Sequence, residues 1–322
     1  MDGKPVVTVL GASGFIGSAV TALLAELRIH LRVVARGTIT PPAGQAETTV
    51  VTADLTDRAA LAEVVAGSDA VLYLVLGDGG WRAAETDPTA ERVNVGVMRD
   101  MVDVLRPRGD SPPLVLYAGA ASQVGAPPRE PLDGTEPDHP ETAYDRQKLM
   151  AEEILMKATA QGRVHGISLR LPTVFGPHGN GVVSAMARRA LDGDPITMWH
   201  DGTVRRDLVH VDDVATAFLA ALAHPDSLVG GRWLIGAGRG DELGEVFRLL
   251  AEAVSERTGR RPVEVTSVTP PEHAPVTDFL SVTIDSSAFQ ALTGWSPRVP
   301  LSEGVRRVVA ALTDHSEEEV RA

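Results

Sequence analysis

The stretch Val6-Val7-Thr8-Val9-Leu10-Gly11-Ala12-Ser13-Gly14-Phe15-Ile16-Gly17 decides how this chain is read. Five apolar or β-branched residues make a short strand, three glycines follow at the spacing GxxGxxG, and residues 15–26 then carry a helical pattern. A strand-to-helix turn of this kind points the free N–H groups of a helix N-terminus at an anion. Gly11 permits the tight turn, Gly14 lets the backbone approach a pyrophosphate, and Gly17 lets the helix lie close on the strand. The expectation is a dinucleotide site built from Gly11, Ser13, Gly14, Phe15, Ile16 and Gly17.

Working outward, apolar runs at 31–35, 50–52, 70–76, 114–118 and 164–171 alternate with helical patterns at 58–65, 89–105 and 144–160. Strands rich in Val and Leu without polar alternation, separated by helices, predict an α/β fold with a doubly wound parallel sheet. After Pro172 the pattern loosens into helices at 182–191, 212–223, 243–258, 286–292 and 302–312 and short strands at 196–199, 232–235 and 263–268. These predict a second, smaller α/β lobe for the substrate. The expected division is a dinucleotide domain over 1–174, completed by about 207–236, and a substrate lobe over 175–206 and 237–322. Segments 126–141 and 270–277 show no periodicity and read as long loops.

The 322 residues carry 30 Lys and Arg against 43 Asp and Glu, a net charge of −13 that repels nucleic acid and anionic lipid alike. Neither is expected as a partner. The absence of Cys excludes disulfides, zinc–thiolate sites and thiol nucleophiles, so redox chemistry requires a bound cofactor. Met1-Asp2-Gly3-Lys4 lacks a signal-peptide pattern and no apolar run approaches the ~20 residues of a membrane span, which predicts a cytoplasmic protein. His178, His200, His210 and His273 lack metal-ligand spacing, so no metal is expected.

The second strand ends Val34-Ala35-Arg36, with no acid to hold a ribose 2′-hydroxyl or repel a 2′-phosphate. Arg36 pairs with such a phosphate, which favours NADP(H). Asp54 and Leu55, after the third strand, either hold the adenine edge or, for Asp54, cap the next helix. Leu74 and Leu76, at the end of the fourth strand, complete the expected cofactor contacts on that side. Tyr144 and Lys148 stand four apart on one helix face, where the ammonium is expected to lower the phenol pKa and make Tyr144 a proton carrier. Trp81 either lines a ligand pocket or sits in the core, while Trp199, in an apolar run, reads as core in preference to a stacking platform.

Taken together these residues resemble the extended short-chain dehydrogenase/reductase family, which contains nucleotide-sugar epimerases, dehydratases and ketoreductases. The likeness runs through Gly11 to Gly17, Asp54-Leu55, Asn94, Tyr144 with Lys148, Leu169-Arg170-Leu171-Pro172-Thr173-Val174-Phe175-Gly176-Pro177, Arg206-Asp207-Leu208-Val209-His210-Val211-Asp212-Asp213 and Gly294-Trp295-Ser296-Pro297. It implies a Rossmann-type fold, Tyr144 as general acid/base, Lys148 on the nicotinamide ribose, and Pro172 and Val174 holding the nicotinamide through their backbone. It also implies Arg206 on a substrate diphosphate and Asn180 on the nucleotide. Arg205, next to Arg206 in an extended segment, should face the other way.

One position departs from the family pattern: the usual Ser or Thr before Gly125 is Ala120, in Ala120-Ala121-Ser122-Gln123-Val124-Gly125. Ser122, on the same side if the strand continues, is the expected catalytic hydroxyl. The stretch lacks the acids that resemble those of 4,6-dehydratases, and Arg36 disfavours a permanently bound NAD. The pattern looks most like the dTDP-4-keto-6-deoxyhexose 4-ketoreductases of deoxysugar pathways, with NADPH as reductant. The alternatives are an NAD-dependent nucleotide-sugar 4-epimerase and a non-catalytic NADPH-sensing protein. Helices 89–105 and 144–160 resemble those of the family's dimer interface, so a homodimer is expected.

Overall fold

The computed structural model describes residues 3–272 and 276–321; His273 lies outside them. The chain runs β1 (Val6–Leu10), α1 (Phe15–Ala25), β2 (His30–Ala35), β3 (Glu47–Thr52), α2 (Arg58–Val65), β4 (Ala70–Tyr73) and a short α3 (Gly80–Ala83). A π-helical turn at Arg92–Gly96 leads into α4 (Val97–Val104), then β5 (Leu114–Ala120), a 3₁₀ turn at Ala121–Val124, α5 (Ala143–Ala160) and β6 (His165–Leu171). The remainder comprises β7 (Thr173–Phe175), α6 (Val182–Leu191), β8 (Ile196–Met198), β9 (Arg205–Arg206), β10 (Leu208–His210), α7 (Val211–Ala223), α8 (Pro225–Leu228), β11 (Arg232–Leu234), β12 (Asp241–Glu242), α9 (Leu243–Thr258), β13 (Val265–Ser267), α10 (Ser287–Thr293) and α11 (Leu301–Arg321).

Seven parallel strands form one sheet in the order β11-β6-β5-β4-β1-β2-β3. The order reverses at β1, which lies between β2 and β4, and a ligand crevice is expected beyond the carboxyl ends of strands at such a point. Every residue of β5 is buried because helices cover both faces. On one face Val9, Val33, Leu72 and Leu116 pack with Val20 and Leu24 of α1 and Phe218 of α7; on the other Leu10, Val71 and Val115 pack with Val97 and Met101 of α4 and Leu155 of α5. Phe289 and Trp295 join the first of these clusters, although chain order puts them in the expected substrate lobe. Trp295 is held there by Nε1–H bonds to Asp213 O and Thr216 Oγ1. A separate cluster of α6, α9 and α11, including Val183, Phe247 and Val308, makes the core of the smaller lobe.

The departures from the sequence reading have local causes. The strand expected over 70–76 stops at Tyr73, leaving Leu74 to Leu76 irregular. The helix expected over 89–105 contains a π turn, which no apolar spacing signals. Strands β7, β9, β10 and β12 have two or three residues each, too few to show a period. Trp199 is corrected: β8 ends at Met198, and the indole one residue on is 38% exposed, not core. Trp81, on α3, is 42% exposed, which removes its core alternative.

Candidate active site

The glycine-rich turn is closed to side chains. Gly11 has φ +84°, and a Cβ there would stand 2.7 Å from Leu74 O; one on Gly17 would overlap Gly11 O. Gly14 caps α1 with no side-chain hydrogen bond, so the first N–H groups of that helix face outward for an anion. This floor fits a dinucleotide pyrophosphate. Leu74 is half-buried and Leu76 is 38% exposed on the β4 side, and Phe15 lies under Gly179, whose Cβ position is 3.0 Å from the ring. Pro172 and Val174 are half-buried where β6 gives way to β7.

Asp54 is exposed, with Oδ1 accepting from Thr56 N at 2.9 Å and Thr56 Oγ1 at 2.7 Å; those bonds hold its carboxyl below the usual range. The cap of α2 is Asp57, which accepts from Ala59 N and Ala60 N, so Asp54 is left available. Leu55 behind it is buried. Arg36 stands just past β2, but the expectation that no carboxylate faces it is corrected. Asp78, in the turn beyond β4, accepts from both Nη1 and Nη2 of Arg36. Local sequence could not show this, because the partners are 42 residues apart.

α5 packs beside β5 and β6, so its N-terminus comes to the carboxyl edge of the sheet. Thr142 caps it, accepting from Asp145 N. Lys148 is buried, donates from Nζ to Ala118 O at 2.8 Å, and lies 5.1 Å from the ring centre of Tyr117 and 5.8 Å from that of Tyr144. Burial pushes its pKa down to about 8, with Glu152 pulling the other way. The Tyr144 phenol is shifted upward by desolvation and by the neighbouring Asp145 carboxylate. The expected lowering by Lys148 is therefore corrected for the ligand-free chain, since burial outweighs a cation that lies over the ring and is tied to a carbonyl. Tyr144 stands protonated, ready to donate.

Ser122 is corrected in its setting. β5 ends at Ala120 and Ser122 lies in the 3₁₀ turn, so strand alternation does not orient it. Its Oγ–H donates to Asp145 Oδ1, while Thr142 Oγ1–H donates to Asp145 Oδ2 at 2.6 Å. Burial raises the Asp145 carboxyl pKa against these bonds. Asp145, one residue after Tyr144 on α5, thus joins that helix to the 3₁₀ turn.

Behind this pair lies a network that sequence reasoning missed. Glu152, fully buried one turn after Lys148, accepts from Ser168 Oγ (2.6 Å), Arg170 Nε (3.0 Å) and Nη2 (2.6 Å), and Arg232 Nε (2.7 Å). Arg170 also bonds both oxygens of Asp138 at 2.8 Å. Gln123 Oε1 accepts from Ala120 N at 3.0 Å, and Gln123 Nε2 donates to Glu152 Oε1 at 3.5 Å, which ties the 3₁₀ turn to α5. An arginine and a serine on one side of a largely apolar strand, Ser168 and Arg170, were the signal available. Asn94, in the π turn, accepts from Gly77 N at 2.9 Å and donates to Gln147 Oε1 at 2.7 Å, joining the β4 loop to α5.

The expected substrate residues Arg206 and Asn180 have other partners. Arg205 and Arg206 form β9 and alternate, as an extended segment must. Arg205 pairs with Glu130, whereas the half-buried Arg206 donates to Leu280 O and to Arg205 O. Asn180 is exposed and accepts from Arg188 Nη2 at 3.4 Å.

Comparison with known proteins gives these features a context. The chain is 28% identical over 316 residues, 95% of each chain, to dTDP-6-deoxy-L-talose 4-dehydrogenase (NAD(P)(+)) of Kitasatospora kifunensis. It is 25% identical over 300 residues, 78% of this chain and 81% of the relative, to dTDP-L-rhamnose 4-epimerase of Burkholderia thailandensis. The fold matches that of MoeE5 in complex with UDP-glucose and NAD, with TM-score 0.81 and 24% identity, covering 97% of this chain and 99% of that one. The model of the NAD dependent epimerase/dehydratase family matches residues 7–236, the span that carries the glycine-rich turn, the Tyr144/Lys148 helix and most of the parallel sheet, and the chain belongs to that family.

Proposed function

We propose that this protein uses NADPH to reduce the C4 ketone of a dTDP-4-keto-6-deoxyhexose. The observation that carries the reading is the Tyr144/Lys148 pair: a phenol held protonated at the N-terminus of α5, beside a buried ammonium, on the sheet edge where the glycine-rich turn opens. A protonated phenol suits donation to a carbonyl that is being reduced. Arg36 supports NADP(H) through its planar fork. When bound, the reduced nicotinamide supplies the hydride to C4 of the sugar. Tyr144 gives its proton to the carbonyl oxygen, so the ketone becomes a hydroxyl and the phenolate is re-protonated from solvent. Lys148 positions the ribose and offsets the phenolate charge, and Ser122, whose hydroxyl proton is held by Asp145 in the free chain, turns that proton to the carbonyl of the bound substrate. Pro172 and Val174 hold the nicotinamide, Arg206 the diphosphate, Asn180 the nucleotide, and Trp81 the sugar. The two parts of the chain act as a dinucleotide domain and a substrate lobe in a cytoplasmic homodimer joined through α4 and α5, which sedimentation at micromolar concentration tests. Among the described residues no helix is long and apolar enough to cross a membrane.

A second reading, an NAD-dependent 4-epimerase, is favoured by Asp78, which places a carboxylate on Arg36. One experiment separates the two. Purified protein given NADPH and a dTDP-4-keto-6-deoxy sugar should consume the cofactor stoichiometrically, and Tyr144→Phe should lose about 10²- to 10⁴-fold in turnover while keeping cofactor affinity. Tightly co-purifying NAD with no net consumption selects the epimerase.

A further inference from the structure

β2 and β4 are not neighbours; β1 runs between them. Arg36 follows β2 and Asp78 lies in the turn after β4, so their ion pair passes over the carboxyl end of β1, where Gly11 begins the glycine-rich turn. Strands lie about 4.8 Å apart, so the pair bridges roughly two strand spacings, across the crevice that the switch in strand order creates. The pairing is bidentate, each Nη donating to a different oxygen of Asp78. Neither partner is buried: their side chains are 60% and 74% exposed. Asp54 also acts on Arg36 through its charge, but both Nη groups of the fork donate to Asp78.

We propose that Asp78 is a specificity-determining residue, which holds in the free chain the fork of Arg36 that a ribose 2′-phosphate would take and so handicaps the 2′-phosphorylated dinucleotide against the unphosphorylated one. The proposal rests on the reading of Arg36 as the 2′-phosphate ligand. A phosphate that takes the Nη1/Nη2 edge of Arg36 must first displace Asp78 from it. An exposed ion pair is weak, so the handicap is a few-fold and not a block. NAD(H), with a neutral 2′-hydroxyl, leaves the pair closed over its adenosine.

The test is titration of the full chain with NADPH and with NADH, read by nucleotide fluorescence, for the parent, Asp78→Asn, Arg36→Ala and the double variant. Asp78→Asn should tighten NADPH about three- to tenfold and change NADH less than about twofold. In the Arg36→Ala background the same substitution should move NADPH less than about twofold, because the residue acts through the fork. Equal shifts for both cofactors, weaker NADPH, or an undiminished effect without Arg36 overturns the role of Asp78 alone. Equal weakening of NADPH and NADH by Arg36→Ala overturns the cofactor reading, and the Asp78 proposal with it.

Discussion

Two arginine–carboxylate pairs mark opposite ends of the candidate site, and they are built from the same chemistry in different solvents. Arg36–Asp78, beyond the β1 turn, is 60% and 74% exposed; Arg170–Glu152, behind the Tyr144/Lys148 helix, is 5% and 0% exposed. Water screens the first, so it exchanges partners at little cost and suits the tuning of ligand choice. The second has no water to fall back on, so every oxygen of Glu152 is used by Arg170, Ser168, Arg232 or Gln123. That network fixes the 3₁₀ turn, β6 and α5 as one body.

The contrast is broken hardest by Glu152→Ala, which leaves the buried Arg170 with Asp138 as its one carboxylate partner, opens a cavity and should cost about 3 kcal/mol in equilibrium denaturation. Glu152→Gln, which keeps shape and two polar atoms, should cost less; equal losses would mean that the lost charge and not the cavity dominates. Next comes Arg206→Ala: if the proposed diphosphate contact forms, losing a charge-assisted bond of about 1.5–3 kcal/mol should raise the apparent KM for the sugar nucleotide by about tenfold or more. Arg205→Ala, which removes only the Glu130 pair, should do much less, and the reverse ranking would show that the other side chain faces the ligand.

The buried end also makes a pH prediction. Lys148 titrates at about 8 in the free chain, so its charge is present below that pH and lost above it. The kcat/KM profile should therefore fall on the alkaline side from about pH 8, and Lys148→Arg, which stays charged, should move that limb upward even at reduced activity. A limb unchanged in this variant assigns it to another group. The smallest effect is expected at the exposed end: Arg36→Ala should change folding stability by less than about 1 kcal/mol, and raised salt should abolish even that.

Much of this was legible along the chain. Val6–Leu10 with Gly11, Gly14 and Gly17 specified the first strand, turn and helix, because the backbone leaves no room for a Cβ at Gly11 or Gly17. Tyr144 and Lys148 were visible because helical spacing alone puts positions four apart on one face. The remaining strands of the parallel sheet were readable from their apolar runs, whereas β7 and β12, of three and two residues, show no period.

What sequence could not reach were contacts between distant positions. Asp78 on Arg36, Asp145 on Ser122 and Glu152 on Arg170 join residues 42, 23 and 18 apart, and no local spacing encodes them. The protonation of the site was equally hidden: a nearby lysine predicts a lowered phenol, but burial of Tyr144 and Lys148 decided the direction for both. Local periodicity and glycine sterics act within a few residues and are written in order along the chain. Desolvation and ion pairing depend on what the rest of the chain excludes from water, and only the tertiary structure sets that.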